Sequence, residues 1–149
     1  MSLQQDIMTA MKIAMKEKNT TALTALRAVK SAILLAQTES GAGSELTEEQ
    51  ELKILQKQVK QRKDSASLYM NQGREDLATP ELAEVEVISQ FLPEAMSEEE
   101  ITKIVKETIE KAGAEGMKDM GKVMGIVSKA LAGKADGKTI STIVKANLT

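Results

Sequence analysis

The chain is 149 residues long, enough for one compact domain or two very small ones. With 42% apolar residues a core can be built, but Tyr69 and Phe91 are its only aromatics, so Leu, Ile, Val, Ala and nine Met must fill it. It has no cysteine and no histidine, which excludes disulfides, thiolate nucleophiles, thiolate or imidazole metal sites and an ordinary base titrating near neutrality.

Few runs alternate with period two and the composition lacks the aromatic residues that sheets favour, so the predicted class is all-α. Helix starts are marked by three capping boxes, Ser2 with Gln5, Thr47 with Gln50 and Ser97 with Glu100. Thr79 before Pro80 reads as an N-cap followed by proline at the first helical position. Stops fall at Asn19-Thr20, in the Gly41-Ala-Gly43-Ser44 loop, at Asn71-Gln-Gly73 and between Gly113 and Gly116. These signals predict helices near 2–18, 20–39, 47–72 and 80–91. Leu3, Ile7, Met11 and Ala14 stripe the first helix. Leu23, Leu26, Val29 or Lys30, and Ile33 stripe the second, and Leu52, Leu55, Val59, Ala66 and Tyr69 the third. Arg62 falls among the apolar residues of the third helix, as a snorkelling or carboxylate-paired arginine at a packing seam.

Leu92-Pro93-Glu-Ala-Met96 breaks the pattern. The predicted organisation is a helical N-terminal domain over 1–95 and a three-helix C-terminal domain over 96–149, with helices near 97–112, 117–131 and 137–147. A segment this short is marginal as an independent fold.

Charge is unevenly spread. Ser97 to Gly116 holds three Lys against six Glu, and Met117 to Thr149 six Lys against two Asp, net −3 and net +4. In a helix from Met117 to Leu131, Met120, Val123, Met124, Val127 and Leu131 share one side. Lys118, Lys122, Gly125 and Lys129 stack on the other, with Gly125 leaving the backbone open to a phosphate or ribose. That basic face is either a solvated surface or an RNA surface. Lys53, Lys57 and Lys60 form a second stripe, with Asp64 spaced to pair with Lys60. In Gly133-Lys134-Ala-Asp136-Gly137-Lys138, glycine and lysine before a helix suit a phosphate. The preferred reading is structural: Gly133 as a C-cap, Asp136 as an N-cap, and no Walker spacing. A basic end without aromatics offers no stacking platform for single strands, so a folded RNA such as tRNA fits it best.

No apolar run approaches the roughly 20 residues of a membrane span. Met1 to Lys18 carries Asp6 and Glu17, lacks arginine and has no continuous apolar stretch. On these grounds the expected location is cytoplasmic, with neither membrane nor DNA as partner.

Lys57-Gln-Val-Lys-Gln-Arg62-Lys63-Asp64-Ser65, Gly73-Arg74-Glu75-Asp76-Leu77, Gln90-Phe91-Leu92-Pro93-Glu94, Lys118-Asp119-Met120-Gly121-Lys122-Val123-Met124-Gly125 and Ala135-Asp136-Gly137-Lys138 follow in order along the chain. This series resembles the YqeY-like family. The family's C-terminal segment is similar to the tail domain of the GatB subunit of tRNA-dependent amidotransferase. The resemblance implies a tail that helps hold tRNA and an association with carbon–nitrogen ligase activity using glutamine as amido donor. Amide transfer itself would occur in subunits absent from this chain. By position the tail-domain match falls on Gly121, Lys122, Gly125, Asp136, Gly137 and Lys138, while Glu115-Gly116 stands where a Ser or Thr cap is expected.

The expected function is therefore a non-catalytic accessory protein, with no catalytic residue, metal or cofactor of its own. Its RNA-binding residues would be Lys118, Gly121, Lys122, Gly125, Lys129, Lys134, Gly137 and Lys138. Its partners would be tRNA and an amidotransferase or aminoacyl-tRNA complex. The alternative is a protein-interaction module in which Met117, Met120 and Met124 line an adaptable groove, unless these simply fill the core. An enzyme proper would need a cysteine or a Ser-Lys centre in a large amidase domain.

Overall fold

A computed structural model describes residues 2–41 and 45–148, and is all-helical. Residues 42–44 of the predicted glycine loop lie outside the described residues. The helices are α1 (Leu3–Lys16), α2 (Thr20–Glu39), α3 (Glu48–Asn71), α4 (Glu75–Ser89), α5 (Glu98–Ala112), α6 (Met120–Ala130) and α7 (Gly137–Leu148). The chain divides into two compact units, Met1–Leu92 and Pro93–Thr149.

Local chemistry sets most of the boundaries. Ser2, Thr47 and Ser97 each cap the backbone N–H three residues on, and Gln5, Gln50 and Glu100 reach back to close the box. Such a cap contributes about 1 kcal/mol. Asn19 caps α2 by accepting from the Ala22 N–H at 3.0 Å. At the end of α5, Gly113 takes the left-handed conformation (φ 64°), where a Cβ would be strained.

The fourth helix departs from expectation. It begins at Glu75, not at Pro80, and Thr79 is an interior residue whose hydroxyl donates to the Glu75 carbonyl at 3.0 Å. The start is set instead by the turn before it. Gly73 (φ 72°) lets the chain reverse, and the Arg74 N–H donates to the Tyr69 carbonyl at 2.8 Å, closing the end of α3. Arg74 provides no side-chain cap but pairs with Asp76 at 2.9 Å. That hydrogen bond holds the Asp76 carboxyl below its ordinary value. Pro80 stands one turn inside the helix, where its missing N–H leaves the Asp76 carbonyl without its helical donor.

In the first unit Ile7 and Ala14 of α1 meet Ala25, Leu26, Val29 and Ile33 of α2, Leu55 and Val59 of α3, and Val85 and Ile88 of α4. Val29, not Lys30, takes the core position on α2. Arg62 is the paired arginine that its position predicts. Its Nε lies 3.4 Å from Glu84 Oε1 across the α3–α4 seam, and Nη1 donates to the Gln58 carbonyl and Oε1 at 3.1 and 2.7 Å. The Arg62 and Glu84 side chains are 13% and 15% exposed, so each depends on the other for compensation. On the outer side of α3, Lys60 and Asp64 do not form the expected pair; Lys53 meets Glu49 instead, at 3.3 Å. The preference for pairing in the N-to-C order Glu then Lys accounts for that choice.

The second unit has its own core: Ile101 and Val105 of α5, Val123 and Val127 of α6, then Leu131, and Ile140, Val144 and Leu148 of α7. The loop between α6 and α7 is tied to the segment that enters the unit, because the Met96 N–H donates to the Lys134 carbonyl at 3.0 Å.

Candidate nucleic-acid interface

The basic face is built on α6. Residues 117–131 are not one continuous α-helix: Met117–Asp119 forms a 3-10 turn and α6 proper starts at Met120. The cause is the departure at Glu115-Gly116. With no Ser or Thr to cap the helix, the Asp119 carboxylate turns back and accepts from the Glu115 N–H at 3.0 Å, while the Asp119 N–H donates to the Gly116 carbonyl. Lys118 belongs to this turn and is exposed.

Burial of Val123 and Val127 against the core turns the opposite side of α6 outward. Gly121, Lys122, Gly125, Ile126, Lys129 and Ala130 line one shallow depression there, of about 510 Å³. Four of the eight expected RNA-binding residues therefore come together. Ile126 and Ala130 were not expected in it. Ile126 is 45% exposed, and the signal for it was an apolar residue lying off the Val123–Val127 stripe. Lys134, Gly137 and Lys138 are also exposed but belong to the loop and first turn of α7, outside the depression.

Two features of the depression are chemical. A Cβ built on Gly121 or Gly125 would meet nothing within 4 Å, so neither glycine is required by packing inside the chain. Gly125, in the interior of α6, is nevertheless less favourable there than alanine by about 1 kcal/mol, whereas Gly121 stands in the first turn. Second, Lys122 Nζ donates to the Ala112 carbonyl at 3.4 Å, placing a cation on the C-terminal end of α5. This long bond leaves Lys122 exposed and links the floor of the depression to α5.

The loop before α7 takes the structural arrangement preferred from its sequence. Gly133 has φ 79°, and Asp136 caps α7 by accepting from the Thr139 N–H at 2.6 Å. The carboxylate occupies the helix terminus that an anion would use. Met120 and Met124 pack partly buried against the second core, and Met117 is 42% exposed.

A roomier recess of about 690 Å³ in the first unit is lined by Asp6, Glu48, Glu51 and the apolar Leu3, Leu52, Leu55 and Phe91 among others. Burial, and then the neighbouring Glu48 charge, push the Glu51 carboxyl above its ordinary value. Among the described residues no group of acidic side chains is placed to hold a metal ion.

The model of the family described as Yqey-like protein matches residues 4–148. The chain belongs to the YqeY-like family. Three curated relatives carry the name "Altered inheritance of mitochondria protein 41, mitochondrial". The one from Pyrenophora tritici-repentis is 34% identical over 136 residues, covering 89% of this chain and 71% of the relative. That from Meyerozyma guilliermondii is 36% identical over 135 residues, covering 87% and 67%. That from Clavispora lusitaniae is 41% identical over 93 residues, covering 60% and 52%.

These names overturn the expectation of a cytoplasmic protein, since the relatives are named as mitochondrial. The physical reason is visible in α1. Leu3–Lys16 is a core helix packed through Ile7 and Ala14, so its mixed charge and lack of arginine report packing and not address. Among the described residues no helix is long and apolar enough to cross a membrane.

Proposed function

We propose that the C-terminal unit holds a structured RNA, tRNA in the first instance, on the outer face of α6, and that the chain is a non-catalytic accessory to tRNA-dependent amidotransfer. One observation carries the reading. Two exposed glycines that no neighbour in the chain requires lie on the same face as Lys122 and Lys129. The cost of Gly125 to the helix interior is explained if something outside the chain approaches the α6 backbone closely. Flanking lysines select a polyanion, and the absence of aromatics from this unit favours phosphate and ribose contacts over base stacking. The link to amidotransfer rests on the resemblance carried by Gly121, Lys122, Gly125, Asp136, Gly137 and Lys138, which implies a tail domain like that of GatB.

The test is tRNA binding by the full chain over a salt series, with a Lys118→Gln, Lys129→Gln, Lys138→Gln variant beside it. Lys122 is kept, because it also caps α5. Binding should weaken steeply with salt, and the variant should flatten the slope by about 0.7–0.9 for each phosphate that it no longer neutralises. No binding at low salt, or an unchanged slope in a folded variant, removes the reading.

A further inference from the structure

The α1–α2 pair of the first unit sorts its charges in a way that its own packing does not need. Its helices contain four cations, Lys12, Lys16, Arg27 and Lys30, and two acids, Asp6 and Glu39. Spacings of four and three put Met8, Lys12 and Met15 on one stripe of α1, with Lys16 at its edge. Arg27, Lys30 and Leu34 form the matching stripe on α2. The two stripes meet at one recess of about 220 Å³ lined by Gln4, Ile7, Met8, Lys30, Ile33 and Leu34; Lys12 and Met15 follow one and two turns after Met8 on α1, and Arg27 stands one turn before Lys30 on α2. Gln4 Nε2 donates to Gln37 Oε1 at 3.2 Å and ties the helices together at one end. The acids lie elsewhere: Asp6 lines the recess shared with Glu48 and Glu51, and Glu39 ends α2.

On these stripes Met8, Met15 and Leu34 are 43%, 52% and 48% exposed. Lys12, Arg27 and Lys30 are exposed too, and no carboxylate of the described residues forms an ion pair with them. Apolar side chains open to solvent, a concave recess between two helices with Lys30 in its lining, and further unpaired cations on the stripes that continue from it on both helices match helix-in-groove recognition. We propose that the α1–α2 face docks an amphipathic helix of a partner protein, one that inserts an aliphatic side chain between Met8 and Leu34 and carries carboxylates on both flanks. The charge complement argues for acidic flanks. The concavity argues for a helix with an anchoring side chain rather than a lipid surface, which would meet protruding apolar residues. This surface is independent of the α6 face.

The experiment is selection of a displayed library of 18-residue helices against the full chain. The apolar stripe would be varied among Leu, Ile, Met and Phe, and the flanks among Glu, Gln and Lys. Glutamate should be enriched on both flanks. A synthetic selected peptide should lose at least about tenfold in affinity for a Lys12→Glu, Arg27→Glu, Lys30→Glu variant, and similarly for Met8→Ser, Leu34→Ser. A Lys118→Gln, Lys129→Gln, Lys138→Gln chain should bind it normally. All substituted positions are exposed, and an unchanged circular dichroism melt checks the fold. Failure to enrich any helix, enrichment of lysine or glutamine flanks, or equal binding to the variants overturns the proposal. So does wild-type binding to vesicles containing phosphatidylserine, or to tRNA, that these same unit-one substitutions abolish while no helix binds.

Discussion

Replacing Gly125 by alanine separates stability from binding in a single residue. Gly125 is in the interior of α6 with helical backbone, so alanine fits without strain, and its Cβ would meet no atom within 4 Å. The substitution removes a propensity penalty of about 1 kcal/mol and adds no clash, so it should stabilise the second unit by about 0.5–1 kcal/mol. In a domain of this size 1 kcal/mol corresponds to about 4–8 °C in melting temperature. Circular dichroism melts and urea titrations of the full chain read this directly. If RNA uses the open backbone, the new methyl should at the same time weaken tRNA binding by about fivefold, equivalent to one displaced hydrogen bond of about 1 kcal/mol. A lower melting temperature would refute the account of an unencumbered glycine. A higher melting temperature with unaltered tRNA affinity would show that the open backbone serves no RNA, and would refute the proposed use of the depression.

The Arg62–Glu84 seam should behave as a compensated pair. Glu84→Ala is expected to cost about 1–3 kcal/mol, less than a fully buried pair because both side chains keep some exposure, whereas Arg62→Met with Glu84→Leu together should be near neutral. A double-mutant cycle in urea without coupling between the two sites would contradict this. The Glu51 carboxyl, raised by burial and then by Glu48, gives a pH-dependent effect. Because its folded value lies above the unfolded one, its contribution is present below the ordinary carboxylate range near 4.3 and is lost as pH rises through the folded value. Glu51→Gln should therefore raise the urea midpoint at pH 7 and lose that gain as pH falls towards 4. A gain that grows on acidification would reverse the assigned sign.

What was legible from the residues alone is whatever is decided within a few positions of itself. Ser2, Thr47 and Ser97 mark helix starts because a cap and its partner lie three residues apart, and the apolar stripes of α1 and α2 follow from one rotation per 3.6 residues. The same locality misled at α4. Thr79-Pro80 is a favourable start, but the reversal at Gly73 and the Arg74–Tyr69 hydrogen bond place the start a turn and a half earlier. On α6 the lysine and glycine stripe follows from spacing, and so does its outward side once Val123 and Val127 are buried. That no neighbour fills the space over Gly121 and Gly125, and that Lys122 reaches the end of α5, depends on how three helices pack. Glu84 as the partner of Arg62, and the recess that Met8 of α1 shares with Lys30 and Leu34 of α2, are likewise fixed only when α3 meets α4 and α1 meets α2. Helices are closed by hydrogen bonds between near neighbours and can be read along the chain; surfaces are made by side chains distant in sequence, and tertiary packing alone brings those together.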